Sequence, residues 1–262
     1  MVEARPRRRR LILGALAAWL ALAGAAAAAE IRVMASGGFT AAYRALVPAF
    51  EKDTGHTVVS AYGASMGDAP DAIPQRLARG EPADVLILAA SGLESLVRQG
   101  RAVENSRVDL AESRIGFAAR AGAPKPDMGS VEAVRRALLD AKSIAYSASA
   151  SGVHFSDEMV RRLGVADEVL PKSRRILSER VGSVVARGDA ELGLQQISEL
   201  LPIAGIEMLG PLPPELQRVT VFSAGIAAGS RQPDAARELI RFLASPAAAP
   251  AVAATGLDPV RR

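Results

Sequence analysis

The chain has 262 residues, 49% of them apolar and 23% charged, with no cysteine, two histidines and a formal net charge of +4. This is ordinary globular usage with length for one or two domains. It excludes a disulfide scaffold, a thiolate nucleophile, a Cys-ligated metal and a histidine-rich metal cluster. The charge sits in the first 29 residues, where Arg5 and Arg7 to Arg10 face Glu3 alone, and the remainder is formally neutral. With aromatic residues at 4%, too few for base stacking, a nucleic-acid partner is not expected.

Residues 1–29 read as a cleaved signal peptide: a basic RPRRRR segment, an apolar run from Leu11 to Ala29, and small residues before Glu30. No later segment is long and apolar enough to span a bilayer. The mature protein is expected in a bacterial periplasm as a monomer, there being no heptad run to drive assembly.

Glu30 to Ser36 is a short strand. A helix follows, with Phe39, Tyr43, Leu46, Val47 and Phe50 on one face and Gly55 at its end. Thr57 to Tyr62 is a second strand, followed by a loop of small residues and a helix near Ile73 to Arg79. Ala83 to Ala89 is a continuous apolar run, as a strand buried on both faces requires. Ser91 and Glu94 read as a capping box opening the next helix. Strand-like pieces at 115–119, 142–147, 192–196, 206–209 and 218–228 alternate with helices at 130–139, 152–163, 182–187 and 234–243. This alternation predicts an α/β fold with parallel or mixed sheets and helices on both faces. The length suits two smaller sheets. Lobe one is expected to hold 30–112 and 224–262, and lobe two 113–220. Hinge crossings near 112–117 and 216–223 would leave a cleft between the lobes.

The recurring chemical feature is a strand, then small hydroxyl or glycine residues, then a helix. It occurs at Ser36-Gly37-Gly38, at Gly63-Ala64-Ser65-Met66, and from Ser147 through Ser149 and Ser151 to Gly152. A fourth case runs from Glu179 through Arg180 and Val181 to Ser183. Each turn presents backbone N–H groups and hydroxyls at a helix start, where the macrodipole is positive, and so suits an anion. Ligands of open α/β sheets sit at this strand edge. Arg180 is the charged candidate among them, suited to a carboxylate or to an ion pair with a neighbouring Glu. His154 reads as a buried structural histidine or an anion donor. No nucleophile elbow, zinc-protease motif or phosphate-binding loop is present, and Ser151, His154 and Asp157 lie too close in sequence to build a triad. The expectation is therefore a binding protein with no cofactor, no metal and no catalysis.

Several segments together resemble the periplasmic molybdate-binding protein family, type II solute-binding proteins of ABC importers. They are VMASGGFTAAYRALVPAFEKDTGHTV, RLARGEPADVLILA, SIAYSASASGVHF, ARGDAELGLQQ and RFLASPAAAPAVAATGLD. The resemblance covers about Ile31 to Leu257. It implies a two-lobed type II fold and an oxyanion held by hydroxyls and amides of Ser36 or Gly38, Ser65, Ser151 with Gly152, and the turn at Val181. Two departures stand out: Gly38 replaces a serine, and Gln196 replaces a tyrosine. They remove two hydroxyl donors and add planar hydrogen bonding suited to carboxylates. The ligand class is thus a molybdate- or tungstate-like oxyanion or a small organic acid, delivered to a permease and ATPase complex. A sensory module feeding a membrane kinase and a secreted enzyme using His154 are the alternatives.

Overall fold

The computed structural model describes residues 28–260. The signal-peptide reading falls almost wholly outside the described residues. Among these, no helix is long and apolar enough to cross a membrane.

The chain opens with β1 (Glu30–Ser36), α1 (Gly37–Thr54), β2 (Thr57–Gly63), α2 (Ile73–Ala78), β3 (Val85–Ala89), α3 (Ala90–Arg98) and β4 (Val108–Ser113). It crosses at Arg114 into a second unit of β5 (Ile115–Arg120), α4 (Val131–Asp140), β6 (Ile144–Ser147) and a composite helix. That helix joins α5 (Ala150–Val153), a π-helical turn (His154–Met159) and α6 (Val160–Arg162). Then come α7 (Ala166–Val169), β7 (Ser173–Ile176), α8 (Val181–Ala186), β8 (Leu192–Gln196), α9 (Ile197–Leu200) and β9 (Ile206–Pro211). The chain returns through residues 212–219 to β10 (Thr220–Ile226), α10 (Pro233–Leu243), α11 (Ala249–Ala253) and β11 (Asp258–Pro259).

Two sheets result. The first has six strands in the order β11-β4-β10-β3-β1-β2, and the second five in the order β7-β6-β8-β5-β9. Both are mixed. β1 runs parallel to β2 and β3, whereas β10 enters from the other lobe and pairs antiparallel with β3 and β4. β5 is likewise antiparallel to β8 and β9.

Each sheet is covered on both faces. The apolar stripe of α1, with Phe39, Tyr43, Leu46 and Phe50 buried, packs with Leu239, Ile240 and Leu243 of α10 against one face of the first sheet. Burying each such side chain stabilises the lobe by about 1.5–3 kcal/mol. Leu86, Leu88, Leu93 and Leu96 fill the other face. In the second sheet, Phe117, Phe155, Met159 and Leu194 form one layer, and Val181, Val184 and Val185 the other.

Three local expectations need correction. Ser91 does not cap: α3 starts at Ala90, directly after β3, and has no side-chain cap. By contrast Ser130 does cap α4, its Oγ accepting from Ala133 N–H at 3.1 Å. β4 and β7 were not expected, because VDLAES and SRRI lack an apolar run; β7 is an edge strand and needs none.

The two crossings are tied together. The Gln217 amide accepts from Ile115 N–H and donates to Ile115 C=O, both at 2.9 Å. The Gln196 amide donates to Thr220 Oγ1 at 2.9 Å. These bonds fix where one lobe meets the other.

Candidate functional site

β1 runs straight into α1, β2 ends at a close approach of Gly63 to Asp71, β8 runs straight into α9, and β6 reaches α5 through the two-residue turn of Ala148 and Ser149. The C-terminal strand edges therefore face each other across one cavity of about 390 Å³. Lobe one contributes Gly37, Thr40 and Arg44, which the helical period sets on one face of α1, with Tyr62, Gly63, Ala64 and Asp71. Lobe two contributes Ser147, Ala148, Ser149, the segment Ile176 to Arg180, Gln195 and Glu199.

The lobes touch along the rim. Arg175 donates to Asp68 Oδ1 and Ser178 to Asp71 Oδ1, each at 2.8 Å. Deeper in, Ser198 Oγ donates to Gly38 C=O at 2.7 Å. These contacts join the two lobes on either side of the cavity.

Two arginines reach the cavity from opposite sides. The Arg44 guanidinium lies over the Tyr62 ring, 4.5 Å from its centroid, a cation–π contact that orients it. Arg180 stands at the start of α8. Among the described residues neither guanidinium forms an ion pair. By contrast, Glu179 on the same wall is bound by Arg187 at 2.9 and 3.2 Å.

Glu199 is the cavity's distinctive acid. Protein encloses its carboxyl on most sides, and this burial raises its pKa from the ordinary 4.5 to about 7, although the positive charge of Arg180 opposes the shift. The Gln195 amide donates to Glu199 Oε1 at 3.0 Å, while its carbonyl accepts from Val181 N–H at 3.0 Å, which fixes the amide's orientation. The carboxyl leans across the interlobe boundary onto the first residue of α1. A Cβ on Gly37 would lie 2.1 Å from Glu199 Oε1.

The residues singled out from sequence separate into three groups. Gly37, Ser149 and Arg180 line the cavity. Ser36 and Ser65 are brought together but buried behind it. Ser65 donates to Ser36 Oγ at 2.7 Å and accepts from Ala89 N–H at 2.9 Å, so it braces three strand ends. Ser151 shares a 2.9 Å hydrogen bond with Ser147, and Gly152 packs so closely on Ser147 that a Cβ would lie 1.6 Å from its carbonyl oxygen. Gly38 fits against Phe222, and Val181 N–H is taken by Gln195. Met66 and Gln196 do not line the cavity. Neighbours on a strand point to opposite faces, so Gln195 reaches the cavity and Gln196 reaches Thr220 at the return crossing.

His154 is outside the cleft. Its Nε2–H donates to Leu216 C=O at 2.8 Å and its Nδ1 lies 3.2 Å from Glu158, so the ring holds the composite helix to the return crossing. An enzyme built on His154 is therefore not supported. Sequence reading missed Arg44, Tyr62, Gln195 and Glu199; for Arg44 the i, i+3, i+7 spacing from Gly37 and Thr40 was the available signal. Among the described residues no group of three His, Asp or Glu side chains is arranged to hold a metal ion.

A family model described as bacterial extracellular solute-binding protein matches residues 31–258. The chain belongs to that family. It is a molybdate-binding-protein-like solute-binding protein, and its two mixed sheets form the type II periplasmic binding fold. The Azotobacter vinelandii periplasmic molybdate-binding protein has a similar structure, with TM-score 0.71 and 24% identity over 89% of this chain and 100% of that one. The curated molybdate-binding protein ModA of that organism is 28% identical over 90% of this chain and 92% of its own. A relative from Pseudomonas sp., named aconitate isomerase, is 45% identical over 97% of this solute-binding chain and 98% of its own. That relative is an enzyme, and it overturns the expectation that this chain is not one.

Proposed function

We propose that this chain is an exported isomerase of unsaturated polycarboxylates, acting in its interlobe cleft on aconitate or a close analogue. The observation that carries the reading is the cavity's composition: two arginines from opposing lobes, neither ion-paired, around a carboxyl that titrates near neutral pH. Full-length similarity to an aconitate isomerase supports it.

Aconitate is a propene bearing three carboxylates. Two guanidiniums and the serines of the β6 turn supply charge-assisted and neutral hydrogen bonds for such groups. A compact oxyanion is served less well. Ser36 and Ser65 are engaged with each other, and the Glu199 carboxyl occupies the start of α1, where an oxyanion would meet the backbone amides.

Isomerisation needs no redox partner. A base removes a proton from the CH₂ carbon, which lies next to both a carboxylate and the alkene. The electron pair spreads over the three-carbon frame and its carboxylates. The proton returns at the far carbon, the double bond has moved by one position, and the bound conformation sets its geometry. The arginines lower the barrier by stabilising charge as it moves onto the carboxylates.

The test is proton NMR of the purified protein with cis- and trans-aconitate supplied separately. Catalytic protein is expected to bring both to one equilibrium mixture. Stoichiometric binding without conversion would support a second reading, a periplasmic receptor handing a carboxylate to an ABC permease and ATPase, which the family match and the interlobe rim contacts favour.

A further inference from the structure

We propose that Glu199 is the group that carries the proton between the two substrate carbons, and that Gln195 and Gly37 are its positioning residues. This rests on the isomerase reading and adds to it the identity of the base.

α9 follows β8 without a loop, so Glu199 in the first turn of α9 stands just beyond Gln195 near the end of β8, and both side chains line the cleft. The Gln195 amide cannot rotate away, because its carbonyl is bound to Val181 N–H at the start of α8. Its NH₂ therefore always presents to Glu199 Oε1. Within the described residues Oε2 carries no hydrogen bond. The absence of a side chain at Gly37 lets the carboxyl cross to the first lobe, so the acid sits at the seam where a ligand held by Arg44 and Arg180 must lie.

The other acids that line the cavity are already engaged. Glu179 is held by two bonds from Arg187, and Asp71 accepts from Ser178 at the exposed rim. His154 is outside the cavity. Among the described residues Glu199 remains as the lining carboxyl that is neither ion-paired nor engaged in a contact at the rim.

A general base works best when its pKa lies near the working pH, and burial brings this carboxyl there. The charged groups that share its cavity are Arg180 from the α8 turn, Arg44 from α1, Asp71 from the loop after β2 and Glu179 beside Arg180. Arg180 favours its ionised form, and burial, the larger effect, opposes it. In the reaction Glu199 as carboxylate takes the CH₂ proton while the C–H pair enters the allylic system. The resulting carboxylic acid returns that proton to the far carbon as the new alkene forms, and Glu199 ends as it began.

The test compares wild type with Glu199→Gln, Glu199→Asp and Gly37→Ala, each checked for an unchanged far-ultraviolet spectrum. Aconitate affinity is read by calorimetry and turnover by NMR. Expected are a kcat loss of at least about 100-fold in Glu199→Gln with affinity largely kept, and partial activity in Glu199→Asp. Gly37→Ala should also lose kcat, because its Cβ displaces the carboxyl. In wild type kcat/KM should rise with pH through about 7 and then level off, and this acidic limb should vanish in Glu199→Gln. A Glu199→Gln variant with wild-type kcat or an unchanged acidic limb would overturn the role of Glu199 and leave the isomerase reading standing. A wild type that binds aconitate and never converts it would remove both.

Discussion

Replacing Glu199 by Gln should make the protein more stable at alkaline pH and leave it nearly unchanged at acid pH. In the unfolded chain this carboxyl titrates near its ordinary 4.5, and in the folded chain at about 7. Below 4.5 both states hold the proton and the group has no effect. Between the two values the folded state binds one proton more than the unfolded state, so stability falls as pH rises, by about 1.4 kcal/mol per pH unit. Over this window the loss is about 3 kcal/mol, and above 7 it stays constant. Gln has nearly the same volume, can still accept from Gln195 and never ionises. The assay is urea denaturation of wild type and Glu199→Gln at pH 4.5, 6 and 8, with the two free energies subtracted so that all other titrating groups cancel. The difference should grow by about 3 kcal/mol toward pH 8 in favour of the variant. A difference independent of pH would refute the reasoning, because it would mean that the carboxyl ionises equally readily in both states.

Arg180→Ala and Arg44→Ala should each weaken aconitate binding by about 10- to 100-fold in calorimetry, the worth of a charge-assisted bond; unchanged affinity would remove the arginine pair from the site. Ser65→Ala should cost about 1–3 kcal/mol of stability in a denaturant titration, since it leaves Ser36 and Ala89 N–H without their partner, yet ligand affinity should hold. Loss of affinity without loss of stability would return Ser65 to the ligand. Gly38→Ala should destabilise by about 1–3 kcal/mol, because its Cβ would lie 2.1 Å from Phe222 Cζ, and a melting temperature equal to wild type would contradict that packing.

Much of the architecture was written in local pattern. The apolar run ADVLILA reads as a doubly buried strand, and β3 is buried at every position. The face of Phe39, Tyr43, Leu46 and Phe50 reads as a helix, and α1 buries those residues. Polar strands were harder, because SRRI at a sheet edge carries no apolar signal. The site was only partly legible. The small-residue turns after β1, β2 and β6 do converge, but a serine looks the same in sequence whether its hydroxyl faces a ligand or, as with Ser36 and Ser65, another hydroxyl. Glu199 lies in ISELL, where an acid reads as a solvated helix residue. Its raised pKa comes from burial, and its carboxyl lies against Gly37 of the opposite lobe, more than 150 positions away in sequence; no local spacing encodes that contact.

The proposed place of a bound polycarboxylate is between Arg44 and Arg180, against Glu199. Its most direct test is a crystal structure with trans-aconitate bound. One carboxylate should lie within hydrogen-bond reach of each guanidinium, with the substrate's carbon frame against Glu199 Oε2. A ligand bound instead by the Ser36 and Ser65 hydroxyls, or outside the interlobe cavity, would contradict the account.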